Sequence, residues 1–125
     1  MIKPTLLIID DDDQLRSMLR QTLELMGYTV AEARDGNEGL AEHLRRPADL
    51  VLTDLIMPDK EGIETIIKLR KHSPGLKIIA MSGGGRNSAT GYLQTARLVG
   101  ARQVLAKPFT HEELEVVVAS VLAGA

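Results

Sequence analysis

Short runs of branched apolar residues alternate along this chain with longer stretches in which apolar positions recur every three or four residues. Thr5 to Ile9 is the first run, and Asp49-Leu50-Val51-Leu52-Thr53 the central one; both read as strands buried on two faces. Tyr28 to Ala33, Lys77 to Met81 and Gln103 to Ala106 read as three further strands. Between them lie helical periods. Gln14 to Met26 carries Leu15, Met18, Leu19, Leu23, Leu25 and Met26, with Gly27 suited to a left-handed C-terminus. Asn37 to Arg45 is a short helix expected to turn Leu40, Ala41 and Leu44 inward and to stop before Pro47. Ile63, Ile66, Ile67 and Leu69 mark a third helix, closed by Ser73-Pro74-Gly75. A fourth spans roughly Ser88 to Val99, with Gly100 behind it. Thr110 and Glu113 form a capping box that opens the last helix, whose apolar face is Leu114, Val117, Val118, Val121 and Leu122.

Five strand–helix units without a repeat or linker imply one α/β domain. Strands separated by helices cannot form hairpins, so the sheet is expected to be parallel, with right-handed crossovers and helices on both faces. In a doubly wound five-stranded sheet of order 2-1-3-4-5, strands one and three are neighbours where the winding reverses, and ligand sites open at the carboxyl ends of the strands. Asp10 and Asp11 follow the first strand, Asp54 ends the third, Ser82 the fourth, and Lys107 follows the fifth. Each polar residue stands where an apolar run stops, so the topology gathers all five at one edge.

Composition narrows the chemistry. A chain of 125 residues buries roughly two-thirds of its unfolded surface as one domain. The formal net charge of −2 argues against a binder of nucleic-acid backbones. Without cysteine there is no disulfide framework, thiol nucleophile or cysteine-held zinc. No apolar run is long enough to span a bilayer, and a run of four apolar residues, Leu6 to Ile9, ahead of four acids does not make a secretory signal, so a cytoplasmic protein is expected. Only Tyr28, Tyr92 and Phe109 are aromatic, which leaves the core to aliphatic side chains.

Clustered carboxylates repel one another unless a cation compensates. Hard oxygen ligands with open positions suit Mg²⁺, which keeps waters and favours sites shared with phosphate. Lys107 adds a positive charge, Ser82 a hydroxyl donor, and the glycines from Gly83 onward free backbone N–H groups. The set suits an anion arriving beside a divalent metal, and Asp54 is placed to accept a phosphoryl group covalently. Of the remaining acids, Asp12 or Asp13 is read as the first helix's N-cap, and the run lacks the spacing of a calcium loop. His43, His72 and His111 lie on helices or their ends, away from the cluster, and carry no phosphotransfer role.

LLIIDDDDQLR, DLVLTDLIMPDKEG, IIAMSGG and LAKPF, in this order, resemble the receiver domain of bacterial two-component response regulators, over about Lys3 to Leu122. The resemblance implies a flavodoxin-like fold and a phosphoryl group accepted on Asp54 from a sensor histidine kinase or phosphotransfer protein. It implies Mg²⁺ held by Asp11, Asp54 and the backbone carbonyl of Ile56, with Asp10 acting through a metal-bound water. Lys107, Ser82 and Gly83 would meet the phosphoryl oxygens, and Lys107-Pro108 would be a cis peptide. A downstream protein target would dock on the face made by the fourth helix, fifth strand and fifth helix, which could also serve a homodimer. Neither nucleic acid nor membrane is implied as a direct partner.

Two departures stand out. Val104 occupies the position where the family usually carries an aromatic switch residue, and the segment after Ser82, SGGGRNSATGY, looks longer than usual, with Tyr92 available for the aromatic role. Apolar Ile56 predicts a long phosphoryl lifetime. Residues 1–125 are read as a single receiver domain without an output domain. Three functions stay open: a phosphorylation-controlled binding module, a Mg²⁺-dependent aspartyl-phosphate phosphohydrolase, and a constitutive interaction domain that has lost the switch. The complete set of Asp10, Asp11, Asp54, Ser82 and Lys107 favours the first.

Overall fold

The computed structural model describes residues 3–55, 61–82 and 96–124. Ile56, Pro58, Gly83, Tyr92 and most of the fourth expected helix therefore lie outside the described residues. In chain order the elements are β1 (Thr5–Ile9), α1 (Asp13–Leu25), β2 (Thr29–Ala33), α2 (Gly36–Arg45), β3 (Leu50–Asp54), α3 (Glu61–His72) and β4 (Lys77–Ser82). A helical turn at 96–99 (α4), β5 (Gln103–Ala106) and α5 (His111–Leu122) follow. Each expected element with described residues is present, with ends shifted by about one residue. All strand pairs are parallel, in the order β2-β1-β3-β4-β5.

Two aliphatic layers cover the sheet. Leu6, Ile8, Leu50, Leu52, Ile79 and Met81 pack against Leu19 and Leu23 of α1 and Leu114, Val118 and Val121 of α5. On the opposite face Leu7, Ile9, Val51, Ile78 and Ala80 pack against Ile66 and Leu69 of α3 and Ala96 of α4. Successive strand residues point to opposite faces, so an unbroken apolar run is what a strand with helices on both sides requires. β3 lies between β1 and β4 and is buried along its whole length, Asp54 included.

The helix ends follow local chemistry. Asp12 is the N-cap of α1, its carboxylate accepting from the backbone N–H groups of Gln14 and Leu15 at 3.0 and 3.1 Å. Gly27, just beyond the end of α1, has φ +98°, a conformation that costs a side chain far more than glycine. Thr110 and Glu113 form the reciprocal capping box of α5.

The rotation of α2 differs from expectation. Ala41 and Leu44 are exposed, while Gly39 and His43 face the core. A Cβ on Gly39 would stand 2.3 Å from Ile9 Cδ1, so any side chain at that point would require Ile9 of β1 to move. His43 is buried because both ring nitrogens find partners, with Ala48 N–H donating to Nδ1 (3.0 Å) and Nε2 meeting Ser73 Oγ (2.9 Å). Leu25 and Ile67, counted among the apolar positions of their helices, are also turned outward, whereas Thr22 and Thr65 are buried.

Candidate functional site

Hydrogen bonding carries the sheet slightly past the ends of its strands, which positions the residues that follow. Asp10 N–H donates to Ala33 O (3.1 Å), Leu55 N–H to Met81 O (2.8 Å) and Lys107 N–H to Ser82 O (2.7 Å). Asp10, Asp54, Ser82 and Lys107 are thereby held at one edge by backbone that is already paired. Asp10, Asp54 and Ser82 are at most 3% exposed. Burial of such groups is costly unless charges are matched and hydrogen bonds are made.

The geometry supplies the matching. Lys107 Nζ stands 2.9 Å from Asp10 Oδ2 and 3.6 Å from Asp54 Oδ2. The other Asp10 oxygen accepts from Asp12 N–H at 2.9 Å. Asp10, Asp11 and Asp54 each offer a carboxylate oxygen, and these atoms lie within 4.8 Å of one another. Three carboxylates beside one ammonium leave a local charge of −2, which a divalent cation would neutralise. Asp11 is exposed and opens the group to solvent, as suits a hard cation that retains waters. The donor set therefore fits Mg²⁺ on its chemistry. Among the described residues Ser82 Oγ is buried without a hydrogen-bond partner, a cost of about 1–3 kcal/mol that functional sites tolerate when a ligand supplies the partner.

The four consecutive acids divide their work. Asp10 is buried against Lys107, Asp11 faces solvent beside Asp54, Asp12 caps α1, and Asp13 lies in the first turn of α1, where the helix dipole favours negative charge. The Lys107–Pro108 peptide is cis. Val104 of β5 is half-buried, stands opposite Ala80 of β4, and packs against the layer that holds α3. It lines a surface groove of about 480 Å³ with Glu112, Glu113, Val116 and Val117 of α5. The expected contributions of Ile56 and Gly83 fall outside the described residues.

Two residues at this edge were not anticipated from the sequence. Arg16 on α1 makes three bonds, from Nε to Glu32 Oε1 (3.0 Å), from Nη1 to the Asp10 carbonyl (2.8 Å) and from Nη2 to Asp13 Oδ1 (2.6 Å). Glu32 also accepts from Arg20 Nη1 at 2.6 Å. Burial works against the Arg16 charge, but Asp13 and Glu32 outweigh it and hold its pKa above the ordinary arginine value. The available signal was Glu32 itself, a carboxylate inside a strand run that demands a cationic partner. His43, read as a bystander, instead ties α2 to the end of α3 through Ser73 and to the approach to β3 through Ala48.

A family model described as the response regulator receiver domain matches residues 6–119. A probable transcriptional regulator ycf27 of Porphyridium aerugineum is 36% identical over 124 residues, covering 98% of this chain and 49% of the relative. The transcriptional regulatory protein CpxR of Escherichia coli K12 is 36% identical over 110 residues, covering 87% of this chain and 45% of the relative. The chain thus spans about half the length of the curated relatives it matches. The crystal structure of a putative response regulator from Chloroflexus aurantiacus superposes with TM-score 0.87 at 33% identity, over 98% of this chain and 99% of that one.

Proposed function

This chain belongs to the response regulator receiver domain family, and on that premise we propose that Asp54 is its phosphoacceptor, loaded by a sensor histidine kinase or a phosphotransfer protein. The observation that carries this reading is the convergence of Asp10, Asp11, Asp54 and Lys107 with the unpartnered Ser82 hydroxyl at one sheet edge. In the transfer, an Asp54 carboxylate oxygen forms the new bond to phosphorus while the donor's N–P bond breaks. The bonding electrons leave on the imidazole nitrogen, which recovers its neutral form by taking up a proton.

Lys107 holds its ammonium against Asp10 and near Asp54 beforehand, ready to meet oxygens of the incoming group. Ser82 offers an O–H whose new acceptor would relieve a buried donor. Asp11 and Asp54 would hold Mg²⁺ directly, together with the backbone carbonyl of Ile56, and Asp10 would act through a metal-bound water. When bound, that ion supplies charge neutralisation that lets an anionic phosphoryl group approach a carboxylate. The chain acts as a phosphoacceptor that assists its own loading and unloading, and not as an enzyme turning over a separate substrate.

The phosphorylated state then biases contacts with a downstream protein on the face formed by α4, β5 and α5, where Val104 and the valines of α5 line a groove. Among the described residues no helix is long and apolar enough to cross a membrane, and we place the domain in the cytoplasm with its kinase. The test is intact mass after incubation with acetyl phosphate and Mg²⁺, beside Asp54→Ala and an EDTA control. A single phosphoryl adduct that needs both Asp54 and metal supports the reading. Absence of an adduct on folded protein would transfer it to a constitutive binding module, and steady hydrolysis of small phosphate esters to a phosphohydrolase.

A further inference from the structure

We infer that Arg16, supported by Glu32, is a positioning residue for the cation site, setting the orientation of Asp11 through the Asp10 carbonyl. This rests on the metal-binding role proposed above for Asp10, Asp11 and Asp54. No side chain among the described residues bonds to the Asp11 carboxylate, which is exposed. What its backbone sets is the Cα–Cβ bond from which the carboxylate reaches the site, and the peptide plane joining Asp10 to Asp11 carries the carbonyl that Arg16 Nη1 grips at 2.8 Å. Asp10 N–H is fixed on the other side by Ala33 O. Asp12, the next residue, is tied through its own N–H to Asp10 Oδ1 and as N-cap to α1. Asp11 thus sits between two anchored neighbours: the Asp10 carboxylate holds the peptide on its far side, and Arg16 holds the carbonyl of the peptide that precedes it.

The grip is rigid because the guanidinium is held from three directions. Its Nε bonds Glu32 of β2 and its Nη2 bonds Asp13 of α1. Glu32 is in turn fixed by Arg20. The side chain of Arg16 is 12% exposed, and its planar fork spans α1, β2 and the acidic loop under partial burial, whereas the three donors of a lysine ammonium radiate from one atom and lack that fixed spread. Groups that orient metal ligands without touching the metal typically carry 10–100-fold in affinity.

Charge alone makes the opposite forecast. Arg16 is a cation close to the site, so deleting it should strengthen binding of a divalent ion; loss of positioning should weaken it. The experiment titrates the 125-residue chain with Mn²⁺ alone, following the EPR signal of the free aqua ion, for wild type, Arg16→Met, Arg16→Lys and Asp11→Asn. Positioning predicts that Arg16→Met binds about tenfold more weakly, while phosphorylation by acetyl phosphate at saturating Mg²⁺ reaches the wild-type rate. Unchanged or tighter binding by folded Arg16→Met overturns the inference, as does a saturating rate that falls with affinity intact. Where circular dichroism shows Arg16→Met unfolded, Arg16→Lys decides. Weakening of about threefold or more supports the fork, and wild-type affinity overturns it. Wild type that binds no more Mn²⁺ than Asp11→Asn defeats the underlying cation site instead, a result separable from the others.

Discussion

Lys107→Met replaces the cation at the centre of the site with an apolar chain of similar length, and its cost can be worked from the distances. At an effective dielectric near 20, Lys107 attracts Asp10 across 2.9 Å by about 6 kcal/mol and Asp54 across 3.6 Å by about 5 kcal/mol. Repulsion between the two buried carboxylates, whose nearest oxygens lie within 4.8 Å, is at least about 3.5 kcal/mol on the same scale. Removing the lysine takes away the cation these two buried carboxylates share and leaves their mutual repulsion in place. Relaxation and solvent entry recover part of the gross figure, and loss of one partner from a buried pair typically costs about 3–5 kcal/mol.

With Lys107 one-fifth exposed, the lower end applies, about 3 kcal/mol. For 125 residues this lowers Tm by about 11 °C in EDTA. Mg²⁺ held by the same carboxylates replaces the lost positive charge, so the deficit should shrink by at least half at saturating metal. The assay is thermal unfolding followed by circular dichroism, with and without Mg²⁺, beside Arg45→Met as an exposed-pair control that should not move. A Lys107→Met protein as stable as wild type in EDTA would refute the electrostatic account. A deficit of equal size with and without Mg²⁺ would refute the shared-site account.

Ser82→Ala removes a buried hydroxyl that has no partner among the described residues, so the unphosphorylated protein should gain about 1 kcal/mol in urea unfolding while its loading by acetyl phosphate slows; a loss of stability would mean the hydroxyl is satisfied after all. Burial, and secondly the neighbouring His72, hold the pKa of His43 below its ordinary value. The neutral ring is required because Nδ1 accepts from Ala48 N–H. Stability is therefore full above about pH 6.5 and falls below it, by at most about 1.4 kcal/mol per pH unit from this group. A His43→Gln variant whose unfolding free energy declines just as steeply over that window would remove His43 as the cause. Gly62→Ala would bring a Cβ to 2.6 Å from Leu55 Cα and 2.9 Å from Asp54 O, both backbone atoms. It should cost about 1–3 kcal/mol and slow phosphorylation, and unchanged values for both would show that α3 can retreat freely.

Apolar runs and helical periods alone carried the element order, the parallel sheet and the choice of edge for the site. These are local or topological properties: a strand covered on both faces must be apolar throughout, and a crossover helix forces parallel neighbours. Asp10, Asp54, Ser82 and Lys107 could be named because each interrupts an apolar pattern at a strand end. The capping box at Thr110 was equally legible, and the N-cap of α1 was narrowed to Asp12 or Asp13, since such bonds close within three residues. The tertiary structure alone decided the rotation of α2, where Gly39 and His43 replace Ala41 and Leu44 at the core. Hydropathy misreads that phase because a glycine chosen for close approach and a histidine satisfied on both nitrogens do not look like core residues. It alone decided that Lys107 bridges Asp10 and Asp54, and that Arg16 reaches the Asp10 carbonyl while holding Glu32. Such pairings depend on register and helix rotation to within a few ångströms, and no spacing along the chain encodes them.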